Sequence, residues 1–159
     1  MILNYYRYSA SKRINFDLKL SAYFKSKNML LISKIILKRI QKKYGVFIPF
    51  NAKICLDVKF PHPVGIVIGD KVVIGNDVTI YQNVTLGGAK IGDAENNRYP
   101  VIGSGTVIFA GAVILGKVMI GKNCIIGANS VVLKDVPDNR TVVGVPAKLI
   151  CAKNNGERI

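Results

Sequence analysis

The side chain best suited to proton transfer in this sequence is a solitary imidazole, His62, set in the run Pro61-His62-Pro63-Val64-Gly65. A lone histidine is by default a structural residue. Two flanking prolines, however, fix φ on either side of it, and a rigidly presented imidazole is the group that takes a hydroxyl proton near neutral pH. The cysteines, Cys55, Cys124 and Cys151, are three in number without C-x-x-C spacing, so neither a disulfide framework nor a zinc site is suggested and no metal is expected. Lysine and arginine outnumber aspartate and glutamate by 23 to 9, a bias that suits nucleic acid, an anionic membrane surface or a phosphorylated small molecule. The interleaving of basic and aromatic residues that stacks bases is missing, which argues against a nucleic-acid partner.

A scaffold must hold that imidazole, and it is written as a repeat. Aliphatic residues recur at every sixth position: Ile68, Ile74, Ile80 and Leu86, then Ile102, Ile108, Ile114, Ile120, Ile126 and Val132. Six is neither a helical nor a simple hairpin period. Two residues before these lie Val72, Val78, Val84, Ala112, Val118 and Cys124, which makes short strands with two inward side chains. Asn83, Gly105, Gly111, Asn123 and Asn129 share one phase, as expected of tight corners with positive φ. Strands and corners alternating in this way predict an all-β, three-sided parallel solenoid with Ile and Val stacked along its axis.

Function in a regular solenoid belongs where the regularity fails, because an insertion loops outward without disturbing the stack. A weaker early series, Ile48, Ile54 and Phe60, is followed by Ile68 rather than residue 66, so two extra residues are spent around His62. A second break, Gly87 to Tyr99, is too polar for the core and predicts a projecting loop able to cover a ligand.

Three segments result: a basic, amphipathic, α-helical stretch over 1–45, a β-helix over 46–150 and a polar tail over 151–159. Residues 20–43 mix Leu20, Phe24, Leu31, Ile32, Ile35, Ile36 and Ile40 with six lysines, the pattern of a helical cap on the first coil or of an interfacial helix at an anionic membrane. No apolar run reaches the ~20 residues of a membrane span, and no signal-peptide core opens the chain, so a cytoplasmic protein is expected.

The runs HPVGIVIG from His62, IGNDVTIYQNVTLGG from Ile74, GANSVVLKDVP from Gly127 and GVPAK from Gly144 resemble the hexapeptide-repeat acyltransferases. The subgroup is that of serine O-acetyltransferases and of enzymes that O-acetylate sugars in polysaccharide pathways, and the likeness covers roughly residues 46–150. It implies a left-handed β-helix, a homotrimer with active sites between subunits, and acetyl-CoA as co-substrate. It further implies that His62 acts as general base on an acceptor hydroxyl that attacks the thioester directly. Backbone N–H groups of Gly87 and Gly88 are candidates for the oxyanion, Ala110, Gly111 and Ala128 for the pantetheine groove, and Lys134 and Lys148 for the phosphates. The acidic residues that orient the base in relatives are replaced by Phe47 and Pro61, and a second histidine at the loop end by Tyr99. The expected acceptor is therefore a sugar or polysaccharide intermediate, with serine as the alternative and a non-catalytic scaffold as the remote one.

Overall fold

The computed structural model describes residues 9–93 and 95–150, so the first eight residues of the expected helical stretch over 1–45, and the polar tail, lie outside the described residues. Among the described residues two helices come first. Helix α1, Ala10–Ser26, begins where the Ser9 hydroxyl accepts from Lys12 N; α2, Leu30–Tyr44, ends at Gly45, whose φ of 65° and bond to Gln41 O close the last turn. The single amphipathic pattern expected over 20–43 is broken at 27–29, where Asn28 takes a φ of 60° and lets the two helices fold back on each other. The Ser21 and Ser33 hydroxyls, both buried, meet at 2.8 Å between them. Ile14 and Leu18 of α1 and Ile36 and Ile40 of α2 are buried, and Asn15 donates to Val58 O at 2.8 Å, so the pair caps the first coil.

Beyond Gly45 the chain winds as a three-sided, left-handed parallel β-helix. The first face stacks β1 (Val46–Phe47), β3 (Ile66–Ile68), β6 (Thr85–Gly87), β9 (Val113–Leu115) and β12 (Val131–Val132). The second stacks β2 (Lys53–Ile54), β4 (Val73–Ile74), β7 (Val101–Ile102) and β10 (Met119–Ile120). The third stacks β5 (Thr79–Ile80), β8 (Val107–Ile108), β11 (Ile125–Ile126) and β13 (Thr141–Val143), and is finished by β14 (Lys148–Leu149). All strand pairings are parallel except β13 with β14, which folds the chain back over the last coil. The sixth-position aliphatics fill the axis: Ile68, Ile74, Ile80, Leu86, Ile102, Ile108, Ile114, Ile120 and Ile126 are each at most 1 % exposed. Burial on this scale stabilises the stack by roughly 1.5–3 kcal/mol per side chain.

Register locates the insertions. Val46, Lys53 and Lys59 each pair twenty residues on, with Ile66, Val73 and Thr79, whereas Val67 pairs with Thr85 eighteen on. The two extra residues are thus absorbed at the corner holding His62. Across the long loop, Val73 pairs with Val101, Thr79 with Val107 and Thr85 with Val113, all at one offset of twenty-eight. Ten residues leave the prism at one corner and disturb no face. Asn83, Gly105, Gly111, Asn123 and Asn129 all adopt positive φ, as their common phase requires.

Candidate active site

His62 lies on the corner that joins the third face to the first. Phe60, fully buried, anchors the segment from one side, its N–H donating to Ser11 Oγ at 2.9 Å. Pro63 is buried on the other side, Val64 N–H donates to His62 O at 2.8 Å, and Asn83 N–H donates to Val64 O at 2.9 Å. The backbone is pinned on both sides while the imidazole stays exposed. Gly65 sits in the left-handed region, φ 65°, directly under the Asn83 side-chain oxygen, where a Cβ has no room.

The same corner continues down the helix. Gly111 N–H donates to Gln82 O at 3.0 Å and Asn129 N–H to Ala110 O at 2.9 Å, so residues 81–83, 109–111 and 127–129 stack beneath the His62 turn. Of the residues singled out in the sequence, Ala110, Gly111 and Ala128 therefore share one ridge with His62. Lys148, on β14 opposite Val143, stands at the end of that ridge and is exposed. Gly87, Gly88 and the exposed Lys134 lie elsewhere, on the corner joining the first face to the second. One prism does not bring the two sets together. Grooves of about 90 and 390 Å³ run between the helices and the first coil, and His62 lines neither.

Two aromatic residues of this ridge escaped the sequence reading. The Tyr81 ring lies 6.2 Å from the imidazole, tilted by 46°, and stacks on Phe109 at 5.2 Å and 13°. Gln82 Oε1, next to Tyr81 in the chain, is buried without a hydrogen-bond partner among the described residues. The signal was available only with the loop removed: Tyr81 and Phe109 are twenty-eight residues apart, but in register one coil apart.

The loop after Gly87 is more anchored than a polar surface excursion. Asp93, 5 % exposed, accepts from Ala89 N–H at 2.7 Å and Lys90 N–H at 2.9 Å. The bond from Lys90 and then that from Ala89, with weaker help from the positive charges of Arg98 and Lys90, hold its carboxyl below the usual aspartate range. Tyr99 does not project either: its ring lies over Gly69, against the core, where a Cβ on Gly69 would meet it at 2.8 Å.

Comparison with known proteins adds to this geometry. Residues 99–134 match the family of bacterial transferase hexapeptides (six repeats), and residues 63–82 the hexapeptide repeat of succinyl-transferase. The chain is 44 % identical over 132 residues to the serine acetyltransferase of Buchnera aphidicola, covering 83 % of this chain and 48 % of that protein. A solved serine acetyltransferase in complex with CoA superposes with a TM-score of 0.76 at 38 % identity, covering 87 % of this chain and 56 % of that one. The serine acetyltransferase of Brucella abortus superposes at 0.82 with 33 % identity, over 90 % of this chain and 57 % of that one. The chain spans about half the length of these relatives.

These likenesses correct the expected acceptor. The sugar or polysaccharide hydroxyl, and with it a place in polysaccharide biosynthesis, is overturned by relatives at 41–46 % identity that are serine acetyltransferases. The physical reason lies in the three substitutions on which that expectation stood. Phe47 is a strand residue of the first face, Pro61 helps fix the His62 backbone, and Tyr99 pins the loop to the core. In the structure these residues shape the backbone around His62 and the loop, and none of them points to a sugar hydroxyl.

Proposed function

The chain belongs to the hexapeptide-repeat acyltransferase family, and from that premise we propose that it is an O-acetyltransferase that moves the acetyl group of acetyl-CoA to the hydroxyl of serine. The observation that carries the reading is the pinned insertion that presents His62 on the same ridge as Ala110, Gly111 and Ala128, within a segment 44 % identical to a serine acetyltransferase. In the proposed step His62 accepts the hydroxyl proton through a ring nitrogen as the oxygen attacks the thioester carbonyl. A new C–O bond forms, the C–S bond breaks, and the imidazolium returns the proton to the departing thiolate, so the base is regenerated. Ala110, Gly111 and Ala128 leave room along the ridge for the narrow pantetheine arm; Lys148 of the same prism, and Lys134 from the facing corner of a neighbouring one, offer ammonium groups to its phosphates.

Gly87 and Gly88 can supply oxyanion-binding N–H groups to this His62 only from a neighbouring molecule, because they occupy another corner of the prism. A homotrimer in which the loop corner of one protomer faces the His62 corner of the next satisfies both sets. The exposed Leu31 and Ile35 of α2, flanked by Lys34 and Lys38, are further proposed to touch anionic membrane. None of the described helices is long and apolar enough to cross one.

The test is release of free thiol from acetyl-CoA by the purified protein with L-serine, in wild type and His62→Ala. The expected result is serine-dependent release that falls by about 10²–10⁴-fold in the variant. Turnover that survives His62→Ala overturns the mechanism, and absence of serine-dependent release overturns the acceptor.

A further inference from the structure

A catalytic imidazole must be held in one orientation as well as one place, and the backbone secures only the place. Pro61, Pro63, the bond from Val64 N–H to His62 O and the bond from Asn83 N–H to Val64 O fix the position of the residue but leave its side-chain torsions free. Among the described residues no hydrogen bond reaches the ring nitrogens of His62. The positions at which the sequence reading looked for an orienting carboxylate hold Phe47 and Pro61 instead. What does stand beside the imidazole is a ring.

We propose that Tyr81, held flat against Phe109, is the positioning residue for the His62 imidazole. The deduction rests on the acyl-transfer reading for its kinetic part only. A centroid separation of 6.2 Å with a 46° tilt lies within the 4.5–7 Å range in which aromatic pairs attract one another in inclined arrangements. Tyr81 is itself backed by a ring. Its side chain stacks on Phe109 at 5.2 Å and 13°, and the backbone of each is placed by a bond to the next coil, Tyr81 N–H to Ile108 O at 3.0 Å and Phe109 N–H to Ile126 O at 2.9 Å. The wall beside His62 is thus a pair of stacked rings carried on successive coils of the prism.

The choice of wall has a chemical consequence. A carboxylate bonded to one ring nitrogen selects a tautomer and stabilises the imidazolium. An aromatic wall limits the ring's rotation and does neither, leaving both nitrogens free of a protein acceptor. The tyrosine hydroxyl is not needed for this role; the flat ring is.

The test uses the fact that His62 is the sole histidine of the chain, so histidine labelled with ¹³C at Cε1 gives one resonance. In the full-length protein, that proton should show nuclear Overhauser contacts to the Tyr81 ring and a ring-current shift. Both should vanish in Tyr81→Leu and persist in Tyr81→Phe. With serine and acetyl-CoA, Tyr81→Leu should lower kcat by about ten- to a hundredfold, as expected for a misaligned reacting group. KM should be unchanged for both substrates, and Tyr81→Phe should restore kcat. A His62 resonance indifferent to Tyr81→Leu overturns the proposal, as does a kcat equal to wild type or an effect carried wholly by KM. If the wild type consumes no thioester, the acyl-transfer reading fails alone, and the resonance still decides whether the Tyr81 ring holds the imidazole.

Discussion

Replacing Gly111 by alanine should destabilise the protein through two separable causes, and a second substitution should remove one of them. Gly111 has a φ of 70°, a region that costs an L-residue about 1–2 kcal/mol. The new Cβ would in addition meet the side-chain oxygen of Asn129, one coil below. Pushing that side chain about 30° off its rotamer costs roughly 0.5–1.5 kcal/mol. The expected loss for Gly111→Ala is therefore about 1.5–3.5 kcal/mol. Asn129 has a φ of 54°, which glycine adopts freely, so Asn129→Gly alone should stay within about 1 kcal/mol of wild type. In the double variant the obstacle is gone and only the backbone strain remains, so the two changes should couple favourably by about 1 kcal/mol. Urea denaturation followed by circular dichroism, at one protein concentration throughout, measures all four corners of the cycle. Additivity to within about 0.5 kcal/mol would refute the steric reasoning. The same variant bears on the cofactor groove, since a rise in KM for acetyl-CoA at constant kcat is expected if the pantetheine arm runs past Gly111. An unchanged KM would leave Gly111 as a corner residue and nothing more.

The inward alternation of the strands predicts that Ile114→Ala, at a fully buried axial position, costs about 2–5 kcal/mol, whereas Ile125→Ala, 42 % exposed on β11, stays within about 0.5 kcal/mol. Equal effects in thermal or urea unfolding would contradict the burial pattern. Asp93 makes the start of the long loop acid-sensitive. Because its carboxyl is held below its unfolded value, the order it gives is fully present above the usual aspartate range and is lost as pH falls through the lowered value. Amide exchange at Ala89 and Lys90 should accordingly quicken in Asp93→Asn at neutral pH, and protection that is indifferent to the substitution would show that the carboxylate does not hold the loop. The exposed α2 strip predicts sedimentation with anionic but not neutral liposomes at low salt, reduced by Leu31→Glu; recovery of all the protein in the supernatant would dismiss a membrane role.

What the sequence disclosed and what it hid follow from how each feature is encoded. The coil is local: a six-residue period, with small or amide residues at the corners, records the inward face and the sites of positive φ in single residue types. The two-residue insertion was visible for the same reason, since one shifted aliphatic, Ile68, reports it. The break between α1 and α2 was not, because it depends on Asn28 taking a left-handed φ and on the serine pair Ser21 and Ser33 meeting across the helices. Nothing in a helical hydrophobic pattern records a contact between two polar residues twelve apart. Asp93 and Tyr99 were hidden similarly: Asp93 is buried by the loop whose amides it accepts from, and Tyr99 by packing over Gly69, thirty residues earlier.

The acceptor was misread for a deeper reason. Departures near a catalytic base do not translate into departures in what is bound, because the groups that orient a base and the groups that recognise a substrate are different sets. In a solenoid the two are free to vary separately, because each corner of each coil is fixed by the coils beside it rather than by its own neighbours in sequence. Phe47 and Pro61 stand where an orienting carboxylate was sought, and a tyrosine one coil below lies against the imidazole in its stead. If Tyr81 supplies that orientation, the loss of kcat with serine in Tyr81→Leu should far exceed that in Phe47→Leu, which removes an exposed ring with no ring contact to His62 among the described residues. Equal losses would instead show that the stacked rings beside the imidazole are packing without a part in the chemistry.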